Sequence, residues 1–171
     1  MFSKFLGKLY GCLLAQTKLS NVVTVEHIRD GKVISRQRMK NIVVNGGLDW
    51  MKNGLSGSGL GTDCAKYIGL STANTDPAAG ATDLDATVYV AADAVGLERQ
   101  EGTYAAGGTG VATVAKTFTC TGNSKVVGSA GLYYKSGATA GMFAGVKFAA
   151  STTLMTNDQL VVTWTLTYTS A

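Results

Sequence analysis

Leu160-Val-Val-Thr-Trp-Thr-Leu-Thr-Tyr-Thr169 decides the fold. Leu160, Val162, Trp164, Leu166 and Tyr168 alternate with Val161, Thr163, Thr165, Thr167 and Thr169, a period of two with almost no error. Successive side chains of a strand point to opposite faces, so this run predicts a long, half-buried antiparallel strand with one apolar face and one threonine-lined face.

Working outward, the same pattern recurs. Met142, Ala144, Val146 and Phe148 alternate along one run, and Val126-Val127 and Gly131-Leu-Tyr-Tyr134 mark another between Lys125 and Lys135. Val111–Thr121 places Val114, Phe118 and Cys120 on one face, interrupted by Lys116. Lys66–Ser71 reads as a buried strand and Thr87–Ala91 as a further one. Residues 22–28 and 32–39 are β-type runs joined through Asp30-Gly31, a pair that tolerates the positive φ of a tight hairpin turn. After Asn41-Ile-Val-Val44, Asn45 is placed to cap a short helix over 46–53, with Leu48 and Met51 facing inward and Gly54 closing it. Leu55–Thr62 and Thr72–Asp85 read as loops. Short strands, glycine-rich turns and one small helix make the chain mainly β. An antiparallel β-sandwich with one short helix is expected, a barrel being the alternative.

The 171 residues are divided into an N-terminal amphipathic arm, 1–20, and a β-sandwich domain, 21–171. In the arm Phe2, Phe5, Leu6, Leu9 and Leu13 recur at spacings of three and four, with Lys4, Lys8 and Gly11 on the other side. That is the pattern of an amphipathic helix; the apolar stretch Leu9–Ala15 is short for a signal peptide and no small-x-small site follows it. Such a helix needs an apolar surface. Docking on an assembly through Phe2, Phe5, Leu6 and Leu9 is the favoured reading, beside packing on its own domain or on a membrane surface. No stretch approaches the ~18 apolar residues of a spanning helix, so no integral membrane association is expected.

Charged residues make up 15% of the chain against a usual share of about 25%, which fits a surface partly covered by neighbours. Charge is unevenly placed: residues 1–52 carry +6 and the remainder −2. Arg29, Lys32, Arg36, Arg38 and Lys40 form a basic stripe, and the two-residue spacing puts Arg36, Arg38 and Lys40 on one strand face. Without interleaved aromatics this is no stacking platform for single strands, so contact with an acidic protein surface is expected and sequence-specific nucleic-acid recognition is not.

The residues give little catalytic chemistry. Cys12, Cys64 and Cys120 lie far apart and read as free thiols from a reducing site of synthesis such as a cytoplasm. His27 is the lone histidine and reads as a packed or surface residue. No nucleophile elbow, P-loop or H-E-x-x-H occurs, so no catalytic, cofactor-binding or metal residues are expected. Asp76, Asp83, Asp85 and Asp93 offer hard oxygen ligands but lack the spacing of a calcium loop. Glu98-Arg99-Gln100-Glu101 reads as an exposed ion-pair cluster.

Several pieces recur in a fixed order: the strand-Asp-Gly-strand opening, Lys40-Asn-Ile-Val-Val-Asn-Gly-Gly-Leu48, Lys66-Tyr-Ile-Gly-Leu70, a Thr/Ala/Asp-rich connection to Leu97-Glu-Arg99, Ala115-Lys-Thr-Phe-Thr119, Ser129-Ala-Gly-Leu132 and Val161-Val-Thr-Trp-Thr-Leu166. In this order, over residues 22–168, the chain resembles a group of tailed-bacteriophage virion structural proteins variously described as minor tail, decoration or fibre-associated. The resemblance implies a non-enzymatic virion part, made in the host cytoplasm, that assembles as a homo-oligomer on the capsid or tail with other virion proteins. It carries over no catalytic residues. A glycan- or receptor-binding module, with Tyr104 as its main loop aromatic, and a cellular filament or surface-layer subunit are the competing expectations.

Overall fold

The computed structural model describes residues 17–55, 64–84, 95–136 and 141–170. The opening hairpin forms as its residues dictate. β1 (Thr17–Arg29) turns through Asp30 and Gly31, both at positive φ (50° and 72°), into β2 (Lys32–Lys40). Residues 17–20, assigned to the arm on sequence, therefore belong to the first strand. A two-residue strand, β3 (Ile42–Val43), leads into α1 (Asn45–Leu55). β4 (Tyr67–Ser71), β5 (Gln100–Glu101), β6 (Thr103–Ala106), β7 (Val111–Thr119), β8 (Lys125–Tyr133), β9 (Met142–Leu154) and β10 (Gln159–Ser170) follow.

The strands form two five-stranded antiparallel sheets, ordered β2-β1-β10-β7-β6 and β3-β9-β8-β4-β5. The architecture is a β-sandwich, mainly β with one short helix. The period-two strand sits at the centre of the first sheet, between β1 and β7. Its inner residues Leu160, Val162 and Trp164 are completely buried, against Phe118 of β7, Val23 of β1 and Ile68, Leu132 and Phe148 from the facing sheet. Each such large side chain contributes roughly 1.5–3 kcal/mol on burial. Chain segments cross between the sheets at corners, and Gly102 makes one of them. A Cβ there would meet Val114 Cγ1 at 2.7 Å, so only glycine lets β5 turn directly into β6.

Two expectations are corrected here. The helix's first bonds run from the Gly47 and Leu48 amides to the Val44 carbonyl, so Val44, not Asn45, holds the cap position. Leu48 is half exposed, whereas Met51 faces inward as expected, together with Gly47 and Trp50. Gly47 sets that rotation: its Cα side lies so close to the Phe143 carbonyl that a Cβ would come within 2.2 Å. Trp50 then packs edge-on to Phe143 and stacks on Tyr134.

The second sheet is buried on both faces along much of β8 and β9, where Met142 through Val146 are all buried. Alternation alone predicts a wet outer face. The connection 72–84 lies across that face instead, and small residues admit it: a Cβ on Gly145 would strike Pro77, and one on Gly128 the Ala73 backbone. Val44, Leu84, Tyr133 and Met142 form a second, smaller core beneath it. The strand expected at Thr87–Ala91 lies outside the described residues.

Candidate docking surfaces and buried polar clusters

Of the residues picked out for docking, Phe2, Phe5, Leu6 and Leu9 lie outside the described residues. Arg36, Arg38 and Lys40 are brought together: all three are exposed on β2, while Gln37 and Met39 between them turn partly inward. Arg36 bonds to Glu26 through Nε at 2.6 Å, which neutralises part of its charge. Arg38 and Lys40 stand opposite Thr24 and Val22, so the cationic character of the stripe concentrates at its Lys40 end. Arg29 does not join it.

β2 is also the edge of its sheet, nine residues long and exposed at all positions but Gln37 and Met39, with Val33 and Ile34 each about half accessible. Unpaired backbone groups on such an edge are a template for another strand. The neighbouring corner is closed. The Gln37 amide donates to the Ala150 carbonyl (2.9 Å) and accepts from the Ala150 amide (3.1 Å), imitating a strand partner for β9.

Asp158 organises one end of the sandwich and carried no signal in the sequence beyond being a turn residue. It is 2% exposed, in the turn between β9 and β10 where Asn157 takes positive φ. Arg29 reaches it with Nε to Oδ1 at 2.9 Å and Nη2 to Oδ2 at 2.7 Å, His27 donates from Nε2 to Oδ2 at 2.8 Å, and the Met155 amide donates at 2.8 Å. These donors, Arg29 first, hold the carboxyl well below the usual carboxylate range against the opposing effect of burial. Because an ionised carboxylate only accepts, the His27 proton facing it sits on Nε2. His27 is 5% exposed and committed to this contact, so of the packed and surface roles open to it on sequence it takes the packed one.

Arg99 corrects the reading of residues 98–101 as an exposed cluster. Its side chain is 4% exposed, stacks 3.4 Å over the Tyr133 ring and donates twice to Asp83, at 3.0 and 3.1 Å. The Tyr133 hydroxyl donates to Asp83 Oδ1 at 2.6 Å. Burial, then the adjacent carboxylate, pushes that phenol well above its ordinary range. This triad pins the connection 72–84 to the sheet. Asp83 is thus occupied, Asp76 lies 3.4 Å from Lys147 Nζ, and Asp85 and Asp93 lie outside the described residues. Among the described residues no three metal-ligating side chains come together. Cys64 is exposed and Cys120 buried, both as free thiols.

One apolar cavity of about 470 Å³ opens where the two sheets part, between Trp50 and Phe143 on one side and Val114, Leu166, Tyr104 and Tyr168 on the other. Among the described residues no helix is long and apolar enough to cross a membrane. No family model, curated protein or solved structure matches this chain.

Proposed function

We propose that this chain is a non-enzymatic structural component of a tailed-bacteriophage virion, assembling with copies of itself and with other virion proteins on the capsid or tail. The observation that most supports this reading is β2, a long edge strand without a second strand partner among the described residues, carrying exposed Val33 and Ile34 and, along the same strand, Arg36, Arg38 and Lys40. An open edge offers backbone pairing to a neighbour, and the adjoining cations steer and orient an acidic surface against it. The ordered resemblance over residues 22–168 points to the same class of partner. The buried charges serve the fold in this reading: Asp158 fixes a turn and Asp83 fixes a connection.

Charge reversal on the stripe tests it. The double variant Arg38→Glu, Lys40→Glu, which leaves the Arg36–Glu26 pair in place, is expected to melt like the parent, since both side chains are exposed, and to lose copies from gradient-purified particles. Unchanged incorporation would remove the stripe from the account. Absence of the unaltered chain from such particles would remove the virion reading. A second reading draws on the same edge: a cellular filament or surface-layer subunit, which pure protein polymerising spontaneously through β2 would favour.

A further inference from the structure

Among the described residues β2 pairs only with β1, and its outer edge is not uniform. Ile34 has no counterpart on β1, because the register steps from Val33 opposite Ile28 to Ser35 opposite His27. Such a bulge twists an edge and blunts it near the Asp30-Gly31 turn. Beyond it Ser35–Lys40 runs in unbroken register, about 20 Å of edge at the ordinary rise of a strand. Arg36, Arg38 and Lys40 share one face there, with Ser35, Gln37 and Met39 on the other. Arg36 is held by Glu26, while Arg38 and Lys40 make no ion pair among the described residues.

That charge pattern selects the partner. A second copy joined antiparallel through β2 is related by a two-fold axis perpendicular to the sheet, which sets residues of one face opposite residues of the same face. Whatever the register over Ser35–Lys40, cations then oppose cations: Arg38 meets Arg38 with Arg36 meeting Lys40, or Arg36 meets Arg38. Like charges directly opposite are destabilising. A parallel pair about an axis along the strand offers the cations only Ser35, Gln37 and Met39. The other described edge strands do no better, since β3 and β6 carry no acid and the one acid of β5, Glu101, is bonded to Lys66 at 2.7 Å. We propose that β2 takes up an extended acidic segment of a different protein as the sixth strand of its sheet, with acids two residues apart opposite Arg38 and Lys40 and uncharged residues between them. The positions between are uncharged because they face Ser35, Gln37 and Met39, and Gln37 is already bonded to Ala150. The assignment rests on β2 being the assembly surface proposed above, and holds for any assembly, virion or not.

Three short fluorescent peptides serve as probes: glutamate alternating with threonine, the same composition with its glutamates contiguous, and lysine alternating with threonine. Fluorescence anisotropy on the full chain should show the alternating acidic peptide binding about three- to tenfold tighter than the contiguous one, and no binding of the lysine peptide. Amide exchange over Ser35–Lys40 should slow on binding, while that of β6, the opposite edge, stays as it was. The variant Arg38→Glu, Lys40→Glu should melt like the parent, lose the acidic peptide and take up the lysine one. Equal binding of the two acidic peptides, binding that leaves exchange in β2 unchanged, or no binding at millimolar peptide would each overturn the proposal. Exchange in β2 that slows with the chain's own concentration, without peptide, would overturn it in favour of a second copy. Tighter binding of oligothymidylate, with the same amides slowed, would overturn it in favour of a nucleic acid. Absence of the chain from purified particles, with the peptide results as expected, would remove the virion reading and leave this one standing.

Discussion

Replacing Arg99 by Met should be among the most damaging single changes outside the main core. It removes two charge-assisted bonds to Asp83 and the stack on Tyr133, from a side chain that is 4% exposed. Breaking a buried ion pair costs about 3–5 kcal/mol because one charge stays behind. Here the lower end applies. Asp83 is 23% exposed, and it keeps the Tyr133 hydroxyl at 2.6 Å and the Leu84 amide at 2.8 Å. About 3 kcal/mol is expected, which for a domain of this size lowers Tm by roughly 6–12 °C. Asp83→Asn alone should cost a similar amount, since it takes the charge from the acceptor of two of the guanidinium's bonds. The double variant removes both charges, so its cost should fall short of the sum by about 1–3 kcal/mol. Urea unfolding of the four proteins at neutral pH gives the coupling. Amide exchange over 72–84 should quicken in both single variants, because the triad is what anchors that connection. A coupling below about 0.5 kcal/mol, with exchange unchanged, would refute the claim that these residues act as one unit.

Asp158→Asn should cost about 2–4 kcal/mol at pH 7 by weakening the bonds to Arg29, His27 and the Met155 amide. The folded carboxyl lies below its unfolded value near 3.9, so between the two the unfolded chain binds more protons. Its contribution is therefore complete above about pH 5 and lost as pH falls, and urea melts from pH 7 to 2 should show the gap between parent and variant closing. Gly47→Ala should destabilise by about 1–3 kcal/mol, its new methyl striking the Phe143 carbonyl, whereas Gly46→Ala, with 3.6 Å to the Met142 carbonyl, should be neutral or slightly stabilising; thermal melts separate the two. Iodoacetamide followed by peptide mass analysis should modify Cys64 in the native protein and reach Cys120 only after unfolding.

What could be read in the sequence was local. The period-two run fixed β10 because its inner residues Leu160, Val162, Trp164 and Leu166 meet the same core, only Tyr168 at its end being exposed, and Asp30-Gly31 fixed the hairpin because few residue pairs accept two positive φ angles in succession. The stripe on β2 followed from strand periodicity alone. The misreadings arose where a residue's environment comes from distant chain. Periodicity assumes one wet face, and nothing around Gly128 or Gly145 announces that Ala73 and Pro77 will cover it. Arg99 sits among charged neighbours and looked exposed, yet its partners lie 16 and 34 residues away at Asp83 and Tyr133. Asp158 finds His27 and Arg29 across 131 and 129 residues, and a turn aspartate gives no hint of that. Leu48 lost its inward place to Trp50 because Gly47, by its closeness to β9, sets how the helix is rotated.

The central claim, that the chain is a virion component, is tested most directly by immunogold electron microscopy. An antibody against this chain would be applied to lysates and purified particles of the source culture. The account predicts label on the particles, over capsids for a decoration role or confined to tails for a tail role. Label on host cells or filaments, with the particles bare, would contradict it.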